Sequence, residues 1–216
     1  MRPPEPCLVL DGSARVGVRV GVLREGRWLG EAVTDEGALE ATFACAEQAL
    51  RMAGLSLAEI RSFAVCVGPG SILGIRVTAL AARTWATLEP RPIFVWESLV
   101  AVAQAALVAG QSTPFVVALE SRLRRWNTLV VTAADEPGSV SEREAEQVVA
   151  LGWPIVSTSA SAQAVFPSVR QLPTPWATLP ALFADADLLR PEAKPEALNP
   201  AADFATWDGQ RHRGTP

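Results

Sequence analysis

The sequence predicts an α/β fold made of two lobes, and three observations carry this prediction. The chain has 216 residues, enough for one large domain or two smaller ones with a substantial core. Apolar residues make up 49% of it and charged residues 19%, a composition typical of a folded chain. Strand patterns dominate the start of each half, and helical patterns dominate its end. We therefore expect an N-terminal lobe over residues 1–97, a C-terminal lobe over 98–199 and a loose tail over 200–216.

The first half opens with three strand patterns and a helical one. The apolar run Cys7–Asp11 ends at an acid and predicts a strand. The next two strand patterns flank the sequence Arg-Glu-Gly, a hairpin turn with Gly26 at the position that needs a positive φ. A helix then runs to Gly54, its predicted cap, and carries apolar residues at helical spacing: Leu39, Phe43, Ala46, Leu50 and Ala53.

A second long helix in this half has an unusually narrow polar side. Ser56–Glu59 matches a capping box and Ser62–Val67 a buried strand, after which a helix is predicted over about Ser71–Leu88. On a helical wheel its polar residues form one stripe: Arg76, Arg83 and Thr87. The earlier helix has a similar polar edge: Glu40, Glu47 and Arg51. Two explanations stay open, that both helices are sandwiched inside the fold, or that they pack together and offer a joint surface to another protein.

The second half repeats strands before helices. The strand Arg91–Glu97 precedes a helix that stops at Gly110, and two further strand patterns form a hairpin whose tip is Arg122–Trp126. A short helix and the strand Trp153–Ser159 follow. Beyond Val165 the prolines multiply, and no further regular pattern is predicted.

Composition excludes several kinds of chemistry. The single histidine is His212, in the tail, where it cannot be held rigidly as a catalytic base. The three cysteines show no metal-ligand spacing, so buried free thiols, no metal and no cofactor are expected. Net charge is −4, and the arginine-rich hairpin tip is interpreted as a solvated turn, so direct RNA binding is not expected. The absence of a signal-peptide pattern and of a membrane-length apolar segment predicts a cytoplasmic protein.

The loop between the buried strand and the second helix raises a question of phosphate binding. Its residues are Gly68, Pro69, Gly70, Ser71 and Gly74. A Walker loop is excluded because no Lys-Ser or Lys-Thr pair follows the last glycine. A dinucleotide loop with Glu97 as the ribose acid is a weaker alternative, since the proline removes a backbone donor and Leu73 is bulky. Residue chemistry alone favours a tight turn followed by a serine N-cap.

The segment Gly68–Ala86 resembles the GPGSFTGLR signature of the TsaB family, the partner subunit of the bacterial machinery that makes threonylcarbamoyl-adenosine in tRNA. The opening strand and hairpin, the Val116–Val131 segment and the stretch before Pro191 are similar to that family in the same order. The resemblance implies two actin/Hsp70-like (ribonuclease H-like) α/β lobes with mixed sheets flanked by helices. It also implies a protein that is not an enzyme on its own and that binds a catalytic TsaD-like subunit through the helices of its N-terminal lobe. The partner-binding residues expected there are Glu40, Glu47, Arg51, Arg76, Leu80, Arg83 and Thr87.

The sequence departs from that family in its first loop and in its second helix. Asp11 and Ser13 remain as a vestigial nucleotide loop, whereas Gly12 and Ala14 stand in place of threonines. Thr78 stands in place of a glycine, a change that could block close helix packing at the partner interface. We expect a non-catalytic scaffold that also self-associates as a homodimer. The alternative is a nucleotide-dependent enzyme of the same fold that uses Asp11 and the glycine loop.

Overall fold

The computed structural model describes residues 2–122, 124–134, 137–185 and 188–198. Its helices are α1 (Ala38–Ala53), α2 (Ile72–Leu88), α3 (Ser98–Val108), α4 (Ala145–Val149), α5 (Ala162–Val165) and α6 (Leu179–Asp185). Its strands are β1 (Cys7–Asp11), β2 (Val18–Arg24), β3 (Arg27–Thr34), β4 (Ser62–Cys66), β5 (Ile93–Trp96), β6 (Phe115–Glu120), β7 (Trp126–Val131), β8 (Pro137–Arg143), β9 (Ile155–Ser157), β10 (Arg170–Gln171) and β11 (Arg190–Pro191). Within these residues, every helix is too short or too polar to traverse a bilayer.

Two mixed sheets have the same internal order. The first is β11-β5-β4-β1-β2-β3, in which β1, β2 and β3 pair antiparallel and β4 and β5 join β1 in parallel. The second is β10-β9-β6-β7-β8, in which β6, β7 and β8 pair antiparallel and β9 and β10 join β6 in parallel. Each lobe is therefore a three-stranded meander extended on its first strand by two parallel strands, and the first sheet adds β11 antiparallel to β5 at its edge. The predicted α/β class is confirmed.

The turns and caps of the N-terminal lobe follow the sequence signals. Gly26 has φ of 69° in the β2–β3 turn, where Glu25 also has a positive φ, and Arg24 pairs with Arg27 across it. Gly54 ends α1 in the left-handed conformation. Ser56 and Glu59 form the expected capping box on a short 3₁₀ helix. In the second lobe β8 is an addition, because its sequence contains no run of apolar alternation that predicts a strand.

The C-terminal stretch returns to the first sheet. We call residues 174–198 the strap, described except at 186 and 187. Trp176 stacks on Trp28 of β3 with ring centroids 4.7 Å apart, and its indole N–H donates to Glu31 at 2.7 Å. Five strap side chains enter the apolar core of the first sheet: Trp176, Leu179, Leu182, Phe183 and Leu189. The sequence assigned the strap to the second lobe, but its apolar residues cover the inner face of the first sheet.

Helix α3 lies between the two lobes rather than wholly within the second. Its Ala101 packs in the first-sheet core with the strap, while Leu99 and Val102 pack against the second sheet. This explains its nearly uniform apolar sequence, because a helix covered on two sides has little need of a polar face. The two lobes are therefore joined by buried apolar side chains. They are also joined by the chain itself, which enters the second lobe at α3 and returns to the first sheet in the strap.

Candidate functional site

The buried side of α1 consists of small residues, and this corrects the expectation from its apolar spacing. The residues facing the sheet include Ala41, Cys45, Ala46 and Ala49. They allow a very close approach to β3, where a Cβ on Gly30 would lie 2.4 Å from the carbonyl oxygen of Ala49. The large residues are displaced outward as a result: the exposed fractions of Leu39 and Phe43 are 65% and 54%. Ala46 and Leu50 of the same pattern are buried as the spacing predicts.

Helix α2 has the same property, so the explanation that both helices are sandwiched inside the fold is wrong for this chain. Its inner side carries Ile75, Ala79, Ala82 and Trp85 against the sheet. Its outer side exposes three leucines by 62% to 80%: Leu73, Leu80 and Leu88. Three large apolar side chains exposed on one side of a helix are unusual in a protein that binds no partner there.

The two helices pack together and form one surface. The ring of Phe43 meets the ring of Trp85 edge to face, with centroids 5.7 Å apart. We call the exposed sides of the two helices the α1/α2 face. All seven residues predicted to bind a partner are exposed on it: Glu40, Glu47, Arg51, Arg76, Leu80, Arg83 and Thr87. The partner-binding residues predicted from the sequence do not include the other large apolar residues of this face, because their helical spacing was equally compatible with a core role. These are Leu39, Phe43, Met52, Leu73 and Leu88.

The glycine loop forms a backbone junction with the loop that follows β1. Ser71 caps α2 by accepting from the Gly74 N–H at 3.3 Å, as predicted, and its own N–H donates to the Ser13 carbonyl at 2.8 Å. A Cβ on Gly70 would lie 2.1 Å from that same Ser13 oxygen, and one on Gly74 would lie 2.1 Å from the Gly12 oxygen. Only glycine permits such an approach. The two glycines therefore fix where α2 begins relative to β1.

Thr78 does not disturb the α1/α2 face, contrary to the concern raised by the sequence. Its side chain is fully buried and its hydroxyl donates within the helix to the carbonyls of Gly74 and Ile75. Its methyl group faces Gly12, where a Cβ would lie 3.0 Å away. The two departures from the family pattern are therefore in contact. Position 78 has gained a side chain, and position 12, which it faces, has lost one.

Asp11 and Ser13 lie together at the carboxyl end of β1. One Asp11 carboxylate oxygen accepts both the Ser13 N–H at 2.8 Å and the Ser13 hydroxyl at 2.6 Å. Beneath them the Cys66 thiol is buried, and burial together with the Asp11 charge raises its pKa well above the ordinary value. Cys7 and Cys45 are buried free thiols as well, as the sequence predicts. The thiols are thus kept protonated and unreactive.

A cleft of about 580 Å³ separates the two lobes at this point. The first lobe contributes Asp11, Ser13, Gly70 and Ser71, so the structure brings the vestigial loop and the glycine loop to one site. The second lobe contributes Glu120, which bridges the lobes: it accepts from Arg15 at 2.8 Å and from the Ser161 hydroxyl at 2.7 Å. Glu97, the acid of the dinucleotide alternative, lies 3.9 Å from Arg190 of β11 in an ion pair.

Comparison with known proteins agrees with this architecture. A family model described as TsaD, tRNA N6-adenosine threonylcarbamoyltransferase, matches residues 36–137, just under half of the chain. No curated protein sequence matches. Among solved structures, YeaZ from Pseudomonas aeruginosa aligns with a TM-score of 0.64 and 19% identity, covering 92% of this chain and 100% of that one.

A second structure, of an uncharacterized protein with similarity to peptidase YEAZ from Pseudomonas aeruginosa, aligns with a TM-score of 0.62 and 20% identity. It covers 92% of this chain and 98% of the other. The resemblance drawn from the glycine-loop signature is thus confirmed at the level of the fold, and so are the two actin/Hsp70-like lobes that it implies.

Proposed function

We propose that this chain is a TsaB-type subunit that makes no chemical change itself and supports a TsaD-like threonylcarbamoyltransferase in modifying tRNA. The observation that carries the proposal is the α1/α2 face, where large apolar side chains are exposed. Both helices lie within residues 36–137, which the family model matches. The fold shared with YeaZ and the order of the sequence resemblance support the same assignment.

The chemistry of the α1/α2 face suits a protein partner. Covering one exposed leucine side chain is worth about 1.5–3 kcal/mol, and six large apolar side chains lie on this face. Charged residues border them, with Arg76 and Arg83 on α2 and an exposed Glu47–Arg51 pair on α1 at 3.4 Å. An apolar centre with a charged rim is the usual composition of a specific interface. A second copy of the chain would use the same face, so homodimer and heterodimer exclude each other.

Co-expression with the threonylcarbamoyltransferase of the same organism tests the proposal. We expect the two proteins to co-elute in size-exclusion chromatography. Leu80→Asp should weaken the complex at least about tenfold, because it removes apolar burial and places a charge in the interface. Val108→Asp is the matched control, since Val108 is an apolar residue 80% exposed on α3, away from the face. Absence of co-elution, or equal weakening by both variants, would contradict the proposal.

A second candidate, a nucleotide-dependent enzyme, is favoured by one observation: Asp11, Ser13, Gly70 and Ser71 line the same cleft. Two contacts argue against it. The Ser71 N–H that a phosphate would need is already donated to the Ser13 carbonyl, and Asp11 already accepts two hydrogen bonds from Ser13. A phosphate would have to displace the Ser13 carbonyl to use the Ser71 N–H, and one of the two Asp11 oxygens is already occupied. We therefore place the scaffold role before it.

A further inference from the structure

The cleft between the lobes contains polar groups that the fold itself does not use. Trp96, at the end of β5, is only 3% exposed and lines the cleft, and its indole N–H has no hydrogen-bond partner among the described residues. An unpaired buried donor costs about 1–3 kcal/mol. Asn127 of β7 is also buried and lines the cleft, so its amide group is a second polar group at the same site.

The charges of the cleft are unevenly satisfied. Glu120 accepts from Arg15 and Ser161, and Glu142 accepts from Ser121 at 2.6 Å. Glu142 also lies 3.4 Å from Arg125. Two guanidinium groups on the cleft wall, Arg19 and Arg122, form no ion pair with a carboxylate of residues 2–122, 124–134, 137–185 or 188–198. Asp11, the third carboxylate of the lining, lies opposite Arg19 in the β1–β2 register. That leaves Arg122 as the guanidinium group at which the cleft most favours an anionic group of a ligand.

One wall of the cleft is apolar. The lining includes Val102 of α3, Leu119 of β6, Trp96 of β5, and the strap residues Trp176 and Leu179. A volume of about 580 Å³ falls in the range of small-molecule sites. A lining that combines these apolar side chains with guanidinium and amide groups suits a ligand with an apolar body and an acidic head.

We propose that the cleft binds a small amphipathic organic anion, a carboxylate or a phosphate, independently of divalent metal. Arg122 holds the acidic head, the Trp96 indole N–H and the Asn127 amide hydrogen-bond the ligand, and the strap side of the cleft covers its apolar body. This site is separate from the α1/α2 face, so an experiment can refute one of the two proposals without affecting the other.

The indole N–H of Trp96 gives a direct readout. The chain has seven tryptophans, and the Trp96 resonance in a ¹H–¹⁵N spectrum is assigned as the one lost in Trp96→Phe. The full chain is titrated with phenylacetate and with phenyl phosphate in the presence of EDTA, and benzyl alcohol serves as the uncharged analogue. We expect a saturable shift of the Trp96 resonance with at least one acid below about 10 mM, and none with benzyl alcohol.

Variants then test the assignment of the anion subsite. Arg122→Gln should weaken binding about tenfold or more, because it removes a charge-assisted hydrogen bond. Arg124→Gln, in the same exposed hairpin tip but outside the cleft lining, should change it less than about twofold. Asp11→Asn should not weaken it, because the change removes a negative charge from the cleft lining. If the Trp96 resonance shows no saturable shift with either acid, the cleft holds only water and the proposal is overturned. Equal binding of benzyl alcohol, insensitivity to Arg122→Gln, or binding that requires magnesium and Asp11 would overturn it as well.

Discussion

Replacing Gly74 by alanine tests whether the glycine loop is a packing junction. The new Cβ would lie 2.1 Å from the Gly12 carbonyl oxygen, about 1 Å inside an ordinary contact. Neither partner is a side chain that can rotate away, so β1 and α2 must separate. Overpacking of this kind costs about 1–3 kcal/mol, and the helix propensity of alanine returns at most about 1 kcal/mol. We expect a net loss near 2 kcal/mol.

Thermal unfolding followed by circular dichroism measures this loss. For a chain of this length about 2 kcal/mol corresponds to a Tm lower by roughly 4–8 °C. Thr84→Ala is the control, because it places an alanine at an exposed position of the same helix and should change stability by less than about 0.5 kcal/mol. A Gly74→Ala protein as stable as the wild type would refute the interpretation that close backbone approach is the reason for these glycines.

Three further predictions follow from burial and hydrogen bonding. Trp176→Ala should destabilise the chain by about 3–5 kcal/mol in urea unfolding, because its ring is buried against Trp28; a loss below about 1 kcal/mol would contradict the strap's structural role. Burial raises the pKa of the Cys7 thiol to about 12, above its unfolded value of 9.0, so its stabilising contribution is full below pH 9 and declines toward pH 12. The chain has no tyrosine to titrate there, and Cys7→Ser should reduce the decline, whereas an unchanged pH profile would contradict burial as its cause. Calorimetry with ATP and magnesium should detect no binding at micromolar concentration, and heat abolished by Asp11→Asn would favour the nucleotide-dependent alternative.

The local signals in the sequence predicted most elements of both sheets. The hairpin at Gly26, the cap at Gly54 and the serine N-cap of α2 each depend on a few neighbouring residues, so one sequence suffices to find them. β8 and the strap carry no such signal. The strap is rich in proline and pairs with β5, more than ninety positions earlier for Arg190 and Val95, and contacts of this kind are not encoded locally.

The candidate site was only partly predictable for a similar reason. Periodicity assigns a residue to a helix side, but it does not say which apolar side faces the core when a helix has two. In α1 the side with alanines faces the sheet because β3 offers Gly30 there, and Phe43 consequently lies outside. The meeting of Gly12 with Thr78 depends equally on tertiary structure. In the sequence, Gly12 and Thr78 are two separate departures from the family pattern. In the structure, they form one packing contact.

The threonylcarbamoyl-adenosine content of tRNA tests the scaffold role most directly. Nucleosides from digested tRNA would be quantified by mass spectrometry in a strain lacking this gene and complemented with the wild type, Leu80→Asp or Val108→Asp. We expect the modified nucleoside to be depleted in the deletion strain, restored by the wild type and by Val108→Asp, and not restored by Leu80→Asp. Normal modification in the deletion strain, or full restoration by Leu80→Asp at equal protein level, would contradict the proposed role of the α1/α2 face.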